Sequence, residues 1–233
     1  MVEGDGLENR SAKAPGVRIP PPPPTNAEIE GARRRLEVLL DRYGLLLLHD
    51  AKFPSATAAI AGEVVRGSWW GHPKGKLIFE TLTRVEDDVA WAKLVLGKET
   101  LIHRRLWPPL VAVAGSRQAW QWRGLPATAQ ALLRRVRRGP VRTDEPRGAG
   151  GRGLGGVATE LERRLLARAT SEHTATGHHA RLLETWQAWG KRQGIARKDL
   201  PGTTEGMKAL SVPVLAWTGG ARPPGLLPWY KKG

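Results

Sequence analysis

The chain has 233 residues, 40% of them hydrophobic, which is enough for one large domain or two small ones with a proper core. Lys and Arg number 37 against 22 Asp and Glu, a formal net charge of +15 that favours polyanions, nucleic acid above all. There is no cysteine, which excludes disulfides, thiol nucleophiles and cysteine zinc sites, and the most apolar runs, Leu45 to Leu48 and Leu110 to Ala114, are far too short to span a membrane.

The first ten residues, MVEGDGLENR, lack the basic and apolar regions of a secretory signal, so a cytoplasmic location is expected. Residues 1 to 25 read as a Pro-rich disordered tail. Its five consecutive prolines, Pro20 to Pro24, favour an extended polyproline II segment. A first helix then begins at Asn26, with Glu28 and Glu30 in the turn where the helix dipole favours anions. Ile29, Ala32, Leu36, Leu39, Leu40 and Tyr43 recur at spacings of three and four, and Gly44 ends the helix. Leu45 to His49 reads as a short buried strand. A second helix follows from FPS at 53 to 55, with Ala56, Ala59, Ile60 and Val64 inward and Gly67 as its stop.

Residues 67 to 76, GSWWGHPKGK, form a turn with two adjacent tryptophans. Pro73 suits the first turn of a third helix running to about Val85. Val89 to Val95 alternates in strand fashion, and Gly97 separates it from Glu99 to Trp107, which marks a hairpin. Beyond it, Pro108 to Trp120 and Pro126 to Arg138 read as helices, and residues 139 to 156 as a Gly/Arg-rich linker. Two further helices are expected, Val157 to about Thr170 and about Gly177 to Gln193, the second with Leu182, Leu183, Trp186 and Trp189 as its apolar stripe. The terminal RPPGLLPWYKKG matches no element, and no internal repeat is visible.

The expected fold is therefore α+β and mostly helical. A unit over residues 26 to 138 holds the β-hairpin and the helices after it, the linker follows, and residues 157 to 233 form a helical C-terminal region. The order helix, strand, helix, turn, helix, hairpin resembles the winged helix-turn-helix DNA-binding superfamily. The resemblance is carried by AEIEGARRRLEVLLDRYG, LLLLH, SATAAIAGEVV, PKGKLIFETLTRV and VAWAKLVLGKETLIHRRL, roughly residues 27 to 106. The turn RGSWWGHP is longer and more aromatic than that superfamily's usual turn. The resemblance implies that the third helix enters the major groove with Lys74 and Lys76 in its first turn. It also implies that Lys98 rides on the tip of the wing, with Lys93, Arg104 and Arg105 on the strands beside it.

Charge is the clearest regional signal. Leu101 to Thr143 contains no Asp or Glu but nine arginines, with Trp107, Trp120 and Trp122 among them. Guanidinium pairs with phosphate and indole stacks on bases, so Arg134, Arg135, Arg137 and Arg138 are candidate phosphate contacts. The other reading is a solvated helical face over core tryptophans, and for Trp107 core packing is expected. Trp69 and Trp70 admit three readings: both cap the core, one packs while the other meets nucleic acid, or the loop borders a pocket for an extruded base.

The sequence thus predicts a DNA-binding protein, with RNA as a further possibility, that needs no cofactor, metal or membrane. A first alternative is a DNA glycosylase or other repair or defence enzyme, with Glu80, Glu63 or His72 assisting bond cleavage beside the tryptophans. A second is a protein-interaction scaffold. Other motifs point nowhere: EHTATGHH lacks metalloprotease spacing, GRGLGG follows no strand, and neither Gly-Lys pair has phosphate-loop spacing.

Overall fold

The computed structural model describes residues 22–144, 154–173 and 179–230, and gives the backbone alone for residues 171–173, 179 and 180. Residues 1 to 21 of the expected tail, residues 145 to 153 of the expected linker and the middle of EHTATGHH lie outside the described residues.

Helix α1 spans Asn26–Tyr43. Its cap is Thr25 rather than Asn26: Thr25 Oγ1 accepts from the Glu28 backbone, and Glu28 returns the bond to the Thr25 N–H at 2.7 Å. Asn26 instead accepts from Arg84 at 2.7 Å. Gly44, at φ 76°, closes the helix, and strand β1 (Leu45–Leu47) starts at once. Helix α2 is short, Ala56–Ala61, because Gly62 ends it at φ 75°, well before Gly67. Val64, expected inward, therefore falls outside the helix and is 54% exposed. Helix α3 is Gly75–Arg84, so Pro73 lies in the turn before it rather than in its first turn. Strands β2 (Val89–Lys93) and β3 (Glu99–His103) form the expected hairpin, although β3 stops at His103 and Arg104–Leu106 turn into a 3-10 segment.

The first sheet is antiparallel in the order β1-β3-β2. One face meets α1, α2 and α3 through Leu36, Leu46, Ile60, Ile78 and Leu101. The opposite face, with Leu45, Leu47, Ala90 and Ile102, is covered by α4 (Trp107–Ala114), α8 (Trp186–Arg192), α9 (Thr203–Trp217) and Leu226 and Leu227. Because both faces are buried, β2 shows little of the polar-out alternation of a half-exposed strand. Trp107 is in this core as expected, 4% exposed, its indole N–H donated to the Ile102 carbonyl at 3.0 Å.

The rest of the chain departs from the helical region expected. After α5 (Ala119–Trp122) and α6 (Ala127–Val136), a two-residue strand β4 (Val141–Arg142) sits inside the expected linker. Helix α7 (Gly155–Arg163) leads to a second hairpin, β5 (Arg168–His173) and β6 (His179–Glu184), and this second sheet has the order β4-β6-β5. The expected helix over 177 to 193 is thus a strand followed by α8. Leu182 and Leu183 belong to β6 and Trp186 and Trp189 to α8, and the four do not form one stripe. Although no repeat is visible in the sequence, the arrangement recurs. In each half a helix precedes a first strand, a helix precedes a hairpin, and the hairpin's second strand takes the centre of the sheet. A separate cluster, including Leu132, Val136, Leu161 and Leu183, packs α6 and α7 on the second sheet. Among the described residues no helix is long and apolar enough to cross a membrane.

Candidate functional site

The aromatic turn is built on a close approach. Trp69–Gly71 form a 3-10 turn, and a Cβ on Gly75 would sit 2.9 Å from the Trp69 carbonyl oxygen and 3.0 Å from that of Trp70. Glycine there lets α3 begin directly under the turn. The two indoles stack, with centroids 4.1 Å apart and 24° between planes. Trp69 packs against the helical core, whereas Trp70 is 65% exposed and leans on Phe79 of α3 at 5.6 Å. One tryptophan therefore packs and its neighbour faces solvent.

The charged groups of this turn hold one another. Lys74 donates to the Ala61 carbonyl at 2.6 Å and lies 3.3 Å from Glu63, while His72 Nε2 is 3.9 Å from the same carboxylate. His72 Nδ1 accepts from the Lys74 backbone at 3.2 Å. Glu63, His72 and Lys74 are thus one cluster at the start of α3. Lys76 is exposed on the helix, with Glu80 one turn further on.

The first hairpin does not project freely. Leu94 and Val95 are fully buried, and the Leu96 N–H donates to the Leu226 carbonyl at 2.9 Å. Lys93 is ion-paired with Glu99, and Lys98 with Asp50 at 2.8 Å. Burial opposes ionisation of Asp50. The Lys98 ammonium and the backbone N–H groups of Lys52 and Phe53 outweigh it and hold the carboxyl below its usual range. Arg104 and Arg105 follow β3 rather than lying on it. Arg104 stands 3.8 Å from Asp88 and 5.4 Å over the Trp107 ring, and Arg105 bonds to the Asp41 carbonyl.

The arginines of the acid-free stretch lie in another environment. Arg134, Arg135, Arg137 and Arg138 are all exposed at the end of α6. The Arg137 guanidinium lies 5.2 Å over the Trp122 ring, and its pKa is lowered by burial and by the neighbouring Arg117. No carboxylate within 4 Å offsets Arg117, Arg134, Arg137 or Arg138 among the described residues. Lys76 lies in the first turn of α3, but Lys74 caps that helix from outside it, and Arg134 to Arg138 sit at the end of α6, whose core cluster is a different one.

No family model, curated protein or solved structure matches this chain. Function is therefore read from side chains alone.

One further site was not legible in the sequence. A cavity of about 600 Å³ lies where the two hairpins and α8 meet. Arg168 of β5 donates to Glu184 of β6 at 2.7 Å, and Arg192 of α8 reaches the same carboxylate at 2.6 Å. Glu184 Oε2 is 2.5 Å from Arg192 but in no hydrogen-bonding alignment, and the Arg168 Nε has no acceptor at all. Beside them Arg181 grips Glu162 at 2.5 Å. Burial pushes the Glu162 carboxyl up, against the pull of Arg181 and Lys93. Burial likewise lowers the Arg168 pKa, against the pull of Glu184. Trp91 and Trp189 line the walls, with Arg168 5.2 Å over the Trp189 ring. Charged residues in a predicted amphipathic helix look solvated, and the missed hairpin hid the fact that Arg168, Arg181 and Glu184 share a sheet. No group of three or more Asp, Glu or His suited to a metal occurs among the described residues.

Proposed function

We propose that this protein binds DNA, chiefly through phosphates, and that the arginine surface of α5 and α6 is the main contact. One observation carries the reading: Arg117, Arg134, Arg137 and Arg138 have no carboxylate partner among the described residues, with Arg137 over the Trp122 ring and Arg117 near it, while Arg33 and Arg84 of the first unit are paired with Glu37 and Glu30. Uncompensated guanidinium groups on a rigid helix replace phosphate counterions without first breaking an internal pair.

A winged-helix likeness of the first unit is part of this proposal. Its support is the order α1-β1-α2-α3-β2-β3 with the sheet order β1-β3-β2. The hairpin tip, bound to Leu226 and closed by the Lys98–Asp50 pair, argues against a free wing in the minor groove. The exposed face of α3 offers Lys76, Phe79 and Thr83 beside Trp70, which suits stacking on a base better than tracking a backbone. The glycosylase alternative gains nothing from the geometry, since Glu63 is engaged by Lys74 and His72.

A filter-binding titration of duplex and single-stranded DNA across a salt series tests the reading. Affinity falls steeply as salt rises if phosphates are the contact. Absence of binding at low salt, or a flat salt response, refutes it.

A further inference from the structure

The cavity between the two hairpins has the makings of a ligand site independent of the arginine surface. At about 600 Å³ it lies within the usual range for small-molecule sites, which runs from roughly 300 to 1,000 Å³. The two inner pairs, Arg181 with Glu162 and Arg168 with Glu184, cancel, and the third cation, Arg192 on Glu184, is 56% exposed and lies nearer solvent. A strongly anionic or cationic ligand gains little there. What the deep end offers is donors beside acceptors, next to two indole walls. The Arg168 side chain lines the cavity at 10% exposure, yet its Nε has no acceptor. A buried donor left unmade costs stability.

Flat walls and an edge that alternates donor and acceptor describe the surroundings of a nucleobase. Guanidinium groups read ring nitrogens and carbonyls, carboxylates read exocyclic amines, and indoles stack on the ring. The cavity's lining also includes Glu86 and Asp87, both exposed and on the turn into β2. A phosphate at this rim meets two like charges.

We propose that this cavity binds a free nucleoside or nucleobase and selects against its 5′-phosphate. The proposal does not rest on DNA binding by α5 and α6.

Calorimetric titration of the full chain with guanosine, adenosine, cytidine and uridine, and with the four 5′-monophosphates, tests it. At least one nucleoside is expected to bind one to one, and its monophosphate about tenfold more weakly at low salt. The variant E184Q is expected to lower nucleoside affinity by about tenfold or more. Because Glu184 is buried and that variant can fail to fold, the exposed pair E86Q/D87N provides a second arm. It should leave nucleoside affinity unchanged and bring the monophosphate up to it. The triple variant R134A/R137A/R138A should leave nucleoside binding intact, which separates failure here from failure of the DNA reading. No binding of any nucleoside, monophosphates binding more tightly than nucleosides, or affinities indifferent to both E184Q and E86Q/D87N would overturn the proposal.

Discussion

Lys98 Nζ lies 2.8 Å from Asp50 Oδ2, joining the hairpin tip to the loop between β1 and α2. The Asp50 side chain is only 9% exposed, and two backbone N–H groups also point at it. Its carboxyl is held below the usual value, so the fold favours the ionised form. The stability this brings is complete above the ordinary carboxylate pKa of about 3.9 and disappears as pH falls through the lower, folded value. D50N should therefore be less stable than wild type by about 1–3 kcal/mol near neutrality, with the two converging in strong acid. Thermal melts of both proteins over a pH series measure the gap; a gap that widens toward acid contradicts the sign.

The stacked tryptophans should separate under substitution. W69A removes a ring packed on the helical core and is expected to cost roughly 2–4 kcal/mol in denaturant melts. W70A removes a mostly exposed ring and should change stability by less than about 1 kcal/mol. If base stacking is its role, W70A lowers affinity for single-stranded DNA by about 1–3 kcal/mol per stacked base.

Gly75 is expected to resist replacement. A methyl group there meets two backbone carbonyl oxygens at 3.0 Å or less, and neither can move without shifting the aromatic turn. G75A should destabilise by about 1–3 kcal/mol, despite alanine's higher helix propensity. Near-ultraviolet circular dichroism, sensitive to the Trp69–Trp70 stack, should change with it.

On the arginine surface, each lost phosphate contact removes close to one unit from the salt slope. R134A/R137A/R138A should lower the slope of log affinity against log salt by roughly 2–3 for duplex DNA while leaving melting temperature nearly unchanged. A variant that binds with the wild-type slope moves the contact elsewhere.

Much of the first unit was legible because its signals are local. The three-and-four spacing of Ile29, Ala32, Leu36 and Leu40 and the glycine at 44 need no tertiary context, and neither does the alternation around Gly97. The second hairpin was not legible for a physical reason. Trp186 and Trp189 are three apart on a real helix, and Leu182 and Leu183 just before them extend the same spacing, so a strand and a helix read as one helix. Helix α9 went unread because Pro213 interrupts its pattern, although its neighbours bury it. Pairings such as Lys98 with Asp50, and the meeting of Arg168, Arg192 and Glu184, depend on where distant segments come to rest, and no spacing rule reports that.

The bond from Leu96 to Leu226 has a consequence for how the molecule is made. Leu94 and Val95 find their apolar cover in residues that leave the ribosome about 130 positions later. The first sheet can pair and take on α1 to α3 while synthesis continues, but its other face has only α4 as cover until α8, α9 and Leu226 arrive. Long sequence separation of this kind slows folding and leaves an apolar sheet face partly uncovered in the nascent chain. Holding that face clear of neighbouring chains during those seconds is a task for the cell rather than for the sequence.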